Sequence, residues 1–139
     1  MHGEINVVTV ALGDPGADNK QLFVLKAPTA DNGGGLRLLG GWAHVATSVT
    51  NSLGVGGTTF TLALHKYSSA GTPVVNGTIS TNTLGGTAVG WTAGVTQTFT
   101  LNSTYSYIDP GEWVVVQYNE VNAGNPTGGF VVLQYTMGK

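Results

Sequence analysis

Three histidines could bind a metal ion or act as general bases, because an imidazole ionises near neutral pH. They are His2, His44 and His65, and no two of them have the His-x-His or His-Glu-x-x-His spacing of common zinc sites. The chain has no cysteine, which excludes disulfides, thiolate metal sites and a cysteine nucleophile. We therefore expect no metal site and no cofactor.

The acidic residues do not form a recognisable catalytic set. Ser48, His65 and Asp109 have the residue types of a Ser-His-Asp triad, but no Gly-x-Ser-x-Gly motif is present. Glycoside hydrolysis needs two carboxyl groups about 5–10 Å apart, whereas Glu112 and Glu120 would lie about 26 Å apart if they flank one strand. Asp109 begins an Asp-Pro-Gly sequence, which is typical of a turn. We therefore expect the protein not to be an enzyme.

Charge is sparse along the whole chain. Only 9% of the residues are Asp, Glu, Lys or Arg, against about 25% in ordinary soluble domains, and positions 67–108 contain none of them and no histidine. With five Lys and Arg and a pI near 5.8, we expect no nucleic-acid partner. The glycine-rich segment 33–37 lacks a phosphate-binding motif. No apolar run is long enough for a membrane span, and the first residues do not have the pattern of a Sec signal.

Alternating polarity predicts β-strands over most of the chain. In the segment 58–67, Phe60, Leu62 and Leu64 fall on one face. The segment 112–121 is apolar on both faces at its start and alternates at its end, which indicates a central strand whose far end reaches solvent. Between two further apolar segments, Asn76-Gly77 predicts a type I′ hairpin. Strand-like patterns also cover 4–12, 21–27, 36–50, 97–101 and 129–137.

About eight short strands separated by Gly, Pro and Asn predict an all-β fold, a jelly-roll-like antiparallel β-sandwich or barrel. A length of 139 residues suits one domain spanning 1–139. Residues 1–30 could form an extended N-terminal arm that pairs with a neighbouring subunit. The alternative is that they supply the first strands of the same sandwich.

The aromatic residues divide into expected core and expected surface. Trp42 and Trp113 lie within apolar strands, so we expect them in the core. Trp91 is flanked by Gly and Thr, and Tyr105 and Tyr107 alternate with Ser, so we expect these three to be exposed, where they could stack on a sugar or contact a protein. The candidate interface residues are these three and apolar residues near the N-terminus: Ile5, Val7, Val8, Leu22, Phe23, Trp91, Tyr105 and Tyr107.

The order of strands and turns over residues 40–137 resembles that of a known family. The segment Gly57-Thr58-Thr59-Phe60-Thr61-Leu62-Ala63-Leu64 is similar to a first central strand of that family. The segment 95–101 then leads to the turn Ile108-Asp109-Pro110-Gly111-Glu112, to an apolar strand over 113–118 and to a closing strand over 130–135. Together they resemble the small β-sandwich proteins of tailed bacteriophages, especially capsid decoration (cement) proteins.

This resemblance implies a non-enzymatic virion structural protein. Such a protein is made in the host cytoplasm, binds the outer capsid surface, contacts the major capsid protein and stabilises the lattice, often as a homotrimer. The resemblance supplies no catalytic residue. Two alternatives stay open: a tail-fibre, receptor-binding or carbohydrate-binding module using Trp91 or the Tyr105 and Tyr107 edge, and a small hydrolase. The hydrolase would require the fold to gather ionisable residues such as His44, His65, Asp109 and Glu112.

Overall fold

A computed structural model describes residues 4–12, 20–48, 59–86, 91–121 and 129–138. Within these ranges the chain forms ten β-strands and one 3-10 turn at Ala30–Asn32, and no helix is long and apolar enough to cross a membrane. The strands are β1 (Asn6–Leu12), β2 (Lys20–Lys26), β3 (Leu36–His44), β4 (Thr59–Tyr67), β5 (Pro73–Thr78), β6 (Leu84–Gly86), β7 (Thr96–Thr98), β8 (Tyr107–Ile108), β9 (Trp113–Val121) and β10 (Gly129–Met137).

The strands form two antiparallel sheets that pack against each other. Sheet A has the order β1-β10-β3-β7, with β8 also pairing with β3, and sheet B has the order β2-β9-β4-β5, with β6 also pairing with β4. The pairs β1 with β10, β2 with β9, β3 with β7 and β4 with β5 are nested along the chain, as in a long hairpin wrapped around two sheets. This is the eight-stranded jelly-roll topology, with β6 and β8 as short additions. The predicted fold class is confirmed as a β-sandwich rather than a closed barrel.

The first two strands, β1 and β2, belong to different sheets. β1 pairs with β10 from Asn6 opposite Tyr135 to Leu12 opposite Gly129, and β2 pairs with β9 on the other sheet. Of the two alternatives for residues 1–30, the structure therefore supports the first strands of the sandwich for 6–12 and 20–26, rather than an extended arm. Positions 1–3 and 13–19 lie outside the described residues.

The core lies between the sheets and follows the period of two that strands impose. Phe60, Leu62 and Leu64 are fully buried, as the alternation in β4 predicts. β9 is central in sheet B, between β2 and β4, and its inward residues Val114 and Val116 are buried. The segment predicted to be a central strand is therefore one.

Two tryptophans that were expected in the core lie on outer faces instead. In β3, Gly41 and Ala43 face the core, so the alternation turns Trp42 outward, where it is half-buried. In β9, Val114 faces the core and Trp113 is likewise half-buried on the outer side. The expectation fails because an apolar neighbourhood in sequence does not say which of the two faces a residue takes.

Trp91 was expected at the surface, and this expectation is wrong. Its side chain is only 1% exposed, and its ring centroid lies 5.8 Å from that of Phe60 in the core. The indole Nε1–H donates a hydrogen bond of 2.8 Å to the carbonyl oxygen of Val95, so the one polar atom of the ring is satisfied inside the fold.

The predicted hairpin at Asn76-Gly77 is also wrong, because β5 runs through both residues and pairs with β4. A type I′ turn needs positive φ at both central positions, whereas only Asn76 has one, at 58°. The residue pair sits at an irregularity in the β4–β5 ladder. The chain reverses earlier, between Ser68 and Thr72, whose backbones form a hydrogen bond of 2.7 Å.

Candidate functional site

The residue types of a catalytic triad are present but have separate partners. The hydroxyl of Ser48 accepts a hydrogen bond from the backbone N–H of Ala93. His65 Nδ1 lies 2.8 Å from the carbonyl oxygen of Lys66, and Asp109 forms an ion pair with the side chain of Lys66. Among the described residues, no group of three or more His, Asp or Glu is placed to hold a metal ion.

Lys66 contacts two carboxylates and a backbone carbonyl oxygen at one end of the sandwich. Its side chain is only 9% exposed, and Nζ lies 3.3 Å from a carboxylate oxygen of both Asp109 and Glu112. Nζ also donates to the carbonyl oxygen of Tyr107, at 3.3 Å. The backbone N–H of Asp109 donates to the Glu112 carboxylate, at 3.0 Å. This cluster ties the β8–β9 turn to β4, so its acids hold the turn in place.

The turn itself agrees with its sequence. The backbone N–H of Glu112 donates to the carbonyl oxygen of Asp109, at 3.0 Å, and Gly111 has a φ of 84°. Proline at the second position and a positive φ at the third define a type II turn. The predicted turn is confirmed, but the ion pair of Asp109 could not be predicted from the Asp-Pro-Gly sequence.

The outer face of sheet A is uncharged over three cross-strand rows. Opposite residues in an antiparallel ladder share a face, so the registers of β1, β10, β3 and β7 define these rows directly. We call this surface the uncharged face. Its first row is Val7, Gln134 and Gly40. Its second row is Thr9, Val132, Trp42 and Thr98, and its third row is Ala11, Phe130, His44 and Thr96.

Apolar and aromatic groups are accessible on the uncharged face. Val7 is 57% exposed, and Ile5, just before β1, is 61% exposed. Phe130 is partly exposed and stacks on His44 with ring centroids 4.8 Å apart. A surface rich in aromatic and aliphatic groups and free of Asp, Glu, Lys and Arg has the composition of the core of a protein–protein interface.

The charged residues gather at one end of the sandwich. At this end β2 and β4 finish while β3 and β9 begin, as the registers show. Every Asp, Glu, Lys and Arg with a described side chain, except Lys20, lies at this end. We call this group the charged end. Its members are Glu4, Lys26, Asp31, Arg37, Lys66, Asp109 and Glu112.

The outer face of sheet B carries an aromatic cluster, which consists of Phe23, His65, Tyr67 and Trp113. The ring of Phe23 makes edge contacts with Tyr67 and Trp113, each at 5.4 Å, and His65 makes an edge contact with Tyr67 at 5.8 Å. The ammonium of Lys26 lies 5.2 Å from the Trp113 ring centroid, within cation–π range.

A polar groove of about 240 Å³ lies beside this cluster on the same face. Ala63 of β4 lies opposite Gln117 of β9. Gln117 in turn lies opposite Gln21 of β2. Gln117 Nε2 donates to the hydroxyl of Tyr67 at 3.2 Å, which connects the groove to the cluster. The lining residues are Lys20, Gln21, Thr61, Ala63, Thr83, Gln117, Tyr118 and Asn119.

The structure does not bring the predicted interface residues together. Ile5 and Val7 border or join the uncharged face, whereas Phe23, 44% exposed, lies on the opposite sheet. Val8 and Leu22 are half-buried and pack against the core.

The remaining predicted residues lie elsewhere. Tyr105 and Tyr107 are half-buried near the charged end, where the guanidinium of Arg37 lies 6.0 Å from the Tyr107 ring centroid. Trp91 is buried and cannot serve as a contact residue. The sequence reasoning missed Trp42, Val132 and Phe130. A period of two along β10 places Phe130 and Val132 on one face, whereas Trp42 joins them only through the register between β3 and β10.

Comparison with known proteins adds no relative. The chain matches no family model. Neither the curated proteins nor the solved structures include a significant match. The surfaces described above therefore carry the functional inference.

Proposed function

We propose that the chain is a non-enzymatic virion structural protein that docks on the outer surface of a capsid, contacts the major capsid protein and stabilises the assembled lattice. The uncharged face of sheet A is the docking surface in this proposal. A protein that binds the assembled shell but not its free subunits shifts the equilibrium toward the shell by mass action.

The observation that supports this proposal most is the composition of the uncharged face. Its two middle strands contribute the partly exposed Phe130, the half-buried Trp42 and Val132, which is only 7% exposed, and no Asp, Glu, Lys or Arg occurs in its three rows. Burying such a surface requires no desolvation of a charged group, which is the expensive part of forming an interface.

A binding assay on assembled particles tests the proposal. Particles that lack the chain are mixed with the purified protein, and occupancy is measured by co-sedimentation and by cryo-electron microscopy. Phe130→Glu places a carboxylate on β10, one of the two middle strands of the uncharged face, where burial would desolvate it. We expect at least about tenfold weaker binding, whereas Phe130→Leu should retain binding.

Val75→Glu is the control on the other sheet. Val75 is 86% exposed in β5, so the same carboxylate is added to the surface at a position away from the uncharged face. Thermal unfolding verifies that the variants remain folded. If the wild-type protein does not bind particles, the proposed function is wrong; if Phe130→Glu and Val75→Glu bind equally, the docking face is wrong.

A second candidate function, recognition of a glycan receptor, is favoured by the polar groove. Side-chain amides and hydroxyls such as those of Gln21, Gln117 and Thr61 can donate to and accept from sugar hydroxyls. Such polar groups fix the orientation of a bound ligand, and the half-buried Trp113 supplies aromatic surface nearby. This groove replaces the sugar site that was expected at Trp91 or at the Tyr105 and Tyr107 edge.

An array of neutral and uronic-acid-containing oligosaccharides tests this candidate. Ala63 lies in the middle of the groove, so Ala63→Phe would fill it, and we expect at least about a tenfold loss of affinity for any bound glycan. Thr98→Phe, on the outer face of sheet A, is the control and should leave binding unchanged. An array on which the wild-type protein binds nothing rejects the candidate.

A further inference from the structure

β1 is an edge strand without the features that usually keep edges from pairing. It is seven residues long, Asn-Val-Val-Thr-Val-Ala-Leu, and contains no charge, no proline and no glycine. Its register with β10 is unbroken from Asn6 to Leu12. Among the described residues, no strand pairs with its other side. An edge strand of this kind presents alternate backbone N–H and C=O groups to a further strand.

The other edges of the two sheets are protected. β2 begins with Lys20, ends with Lys26 and has an irregular register between Phe23 and Leu25. β5 begins with Pro73 and is irregular against β4. β7 has three residues and β8 has two. Lysine, proline, bulges and short length are the known means of blocking edge pairing, and β1 alone among these edges has none of them.

We propose that β1 pairs with β1 of a second copy of this chain, antiparallel and across a two-fold axis. Antiparallel strands related by such an axis form an isologous interface, in which the same residues face each other from both sides. An uncharged strand meets no like charge in any register. Each copy has one such edge, so pairing consumes both edges and the assembly closes at two subunits.

The pairing also enlarges the uncharged face. When a β1 residue lies on the two-fold axis, each odd-numbered residue of one copy faces an odd-numbered residue of the other. Val7, Thr9 and Ala11 of both copies therefore point to the same side of the sheet. The two outer faces of sheet A then form one continuous surface. This association is independent of what the chain docks on, and its two-fold symmetry differs from the trimer that the family resemblance implies.

Thr9→Lys tests the pairing with the full purified chain. Thr9 is exposed at the middle of β1, and a lysine on each copy would place two like charges near the axis. Analytical ultracentrifugation and native mass spectrometry should show a concentration-dependent dimer for the wild type. The dissociation constant should rise at least about tenfold in Thr9→Lys.

Thr98→Lys is the matched control, because Thr98 lies in the same cross-strand row as Thr9, at the opposite edge of sheet A. We expect its dissociation constant to stay within about twofold of the wild-type value. Circular dichroism confirms that both variants are folded. Hydrogen exchange gives a second readout, since β1 amides that do not face β10 should be protected in the wild-type dimer and lose that protection in Thr9→Lys.

A mixture of Thr9→Lys and Thr9→Glu gives the sharpest test. Each variant alone should be largely monomeric, whereas the mixture should form a heterodimer, because opposite charges then face each other across the axis. Restoration of the dimer supports the two-fold pairing. A wild-type protein that stays monomeric at every concentration, a trimer, or a dimer that Thr9→Lys does not weaken would overturn it.

Discussion

At the residue scale, two consecutive glycines in β3 have opposite roles. A Cβ at Gly41 would lie 2.7 Å from Leu133 Cδ2 and 3.3 Å from Phe99 Cδ2, both in the core, whereas a Cβ at Gly40 would meet only Gln134 Oε1, at 3.5 Å. Gly41→Ala should therefore overpack the core and lower the free energy of unfolding by about 1–3 kcal/mol.

Gly40→Ala is the matched control one residue away. Its Cβ has room, and alanine restricts the unfolded chain more than glycine, so the free energy of unfolding should change by less than about 0.5 kcal/mol or rise slightly. Urea unfolding with a common slope measures both variants. Equal effects of the two substitutions would show that Gly41 does not lie at a close approach between β3 and the core.

The tryptophans show why single residues were harder to place than strands. The alternation in β4 placed Phe60, Leu62 and Leu64 correctly because each apolar residue there is followed by a smaller or more polar one. Around Trp42 the neighbours are glycine and alanine, which are compatible with either face. Trp91 is flanked by a glycine and a threonine, and it becomes a core residue only when the fold brings Phe60 against it.

At the element scale, the positions of the strands could be predicted but their partners could not. The pattern of 129–137 predicts a strand, and β10 has those bounds. Nothing in that segment shows that β10 lies between β1 and β3. Pairing between distant segments depends on which apolar faces fit together, and that information is spread over the whole chain rather than contained in one window.

Irregularities within strands were also hidden in the sequence. In β3, the register with β10 passes from Gly40 to Leu38, which leaves Leu39 without an opposite residue and exposed. A bulge of this kind shifts the alternation by one position. It explains why Leu36 and Leu38 face the core at one end of the strand, whereas Gly41 and Ala43 face it at the other. An expectation based on strict alternation fails across such a point.

At the scale of the whole molecule, the few charged residues are distributed asymmetrically. The sequence shows that charge is rare, and the fold adds that the described charged side chains other than Lys20 gather at the charged end. Two surfaces of different character are therefore available for docking: the uncharged face of sheet A, and the charged end with its acids and bases. They respond differently to salt, because mobile ions screen exposed charges but not apolar contact.

Docking through the uncharged face should therefore depend little on ionic strength. We expect the affinity for assembled particles to change by less than about twofold between about 0.05 and about 0.5 M sodium chloride. Docking through the charged end would instead weaken steeply as salt increases, because the Debye length falls below the spacing of surface charges. Co-sedimentation across this salt range measures the dependence, with Phe130→Glu as the reference for lost contact. A steep loss of affinity for the wild-type protein would assign docking to the charged end and contradict the role given to the uncharged face.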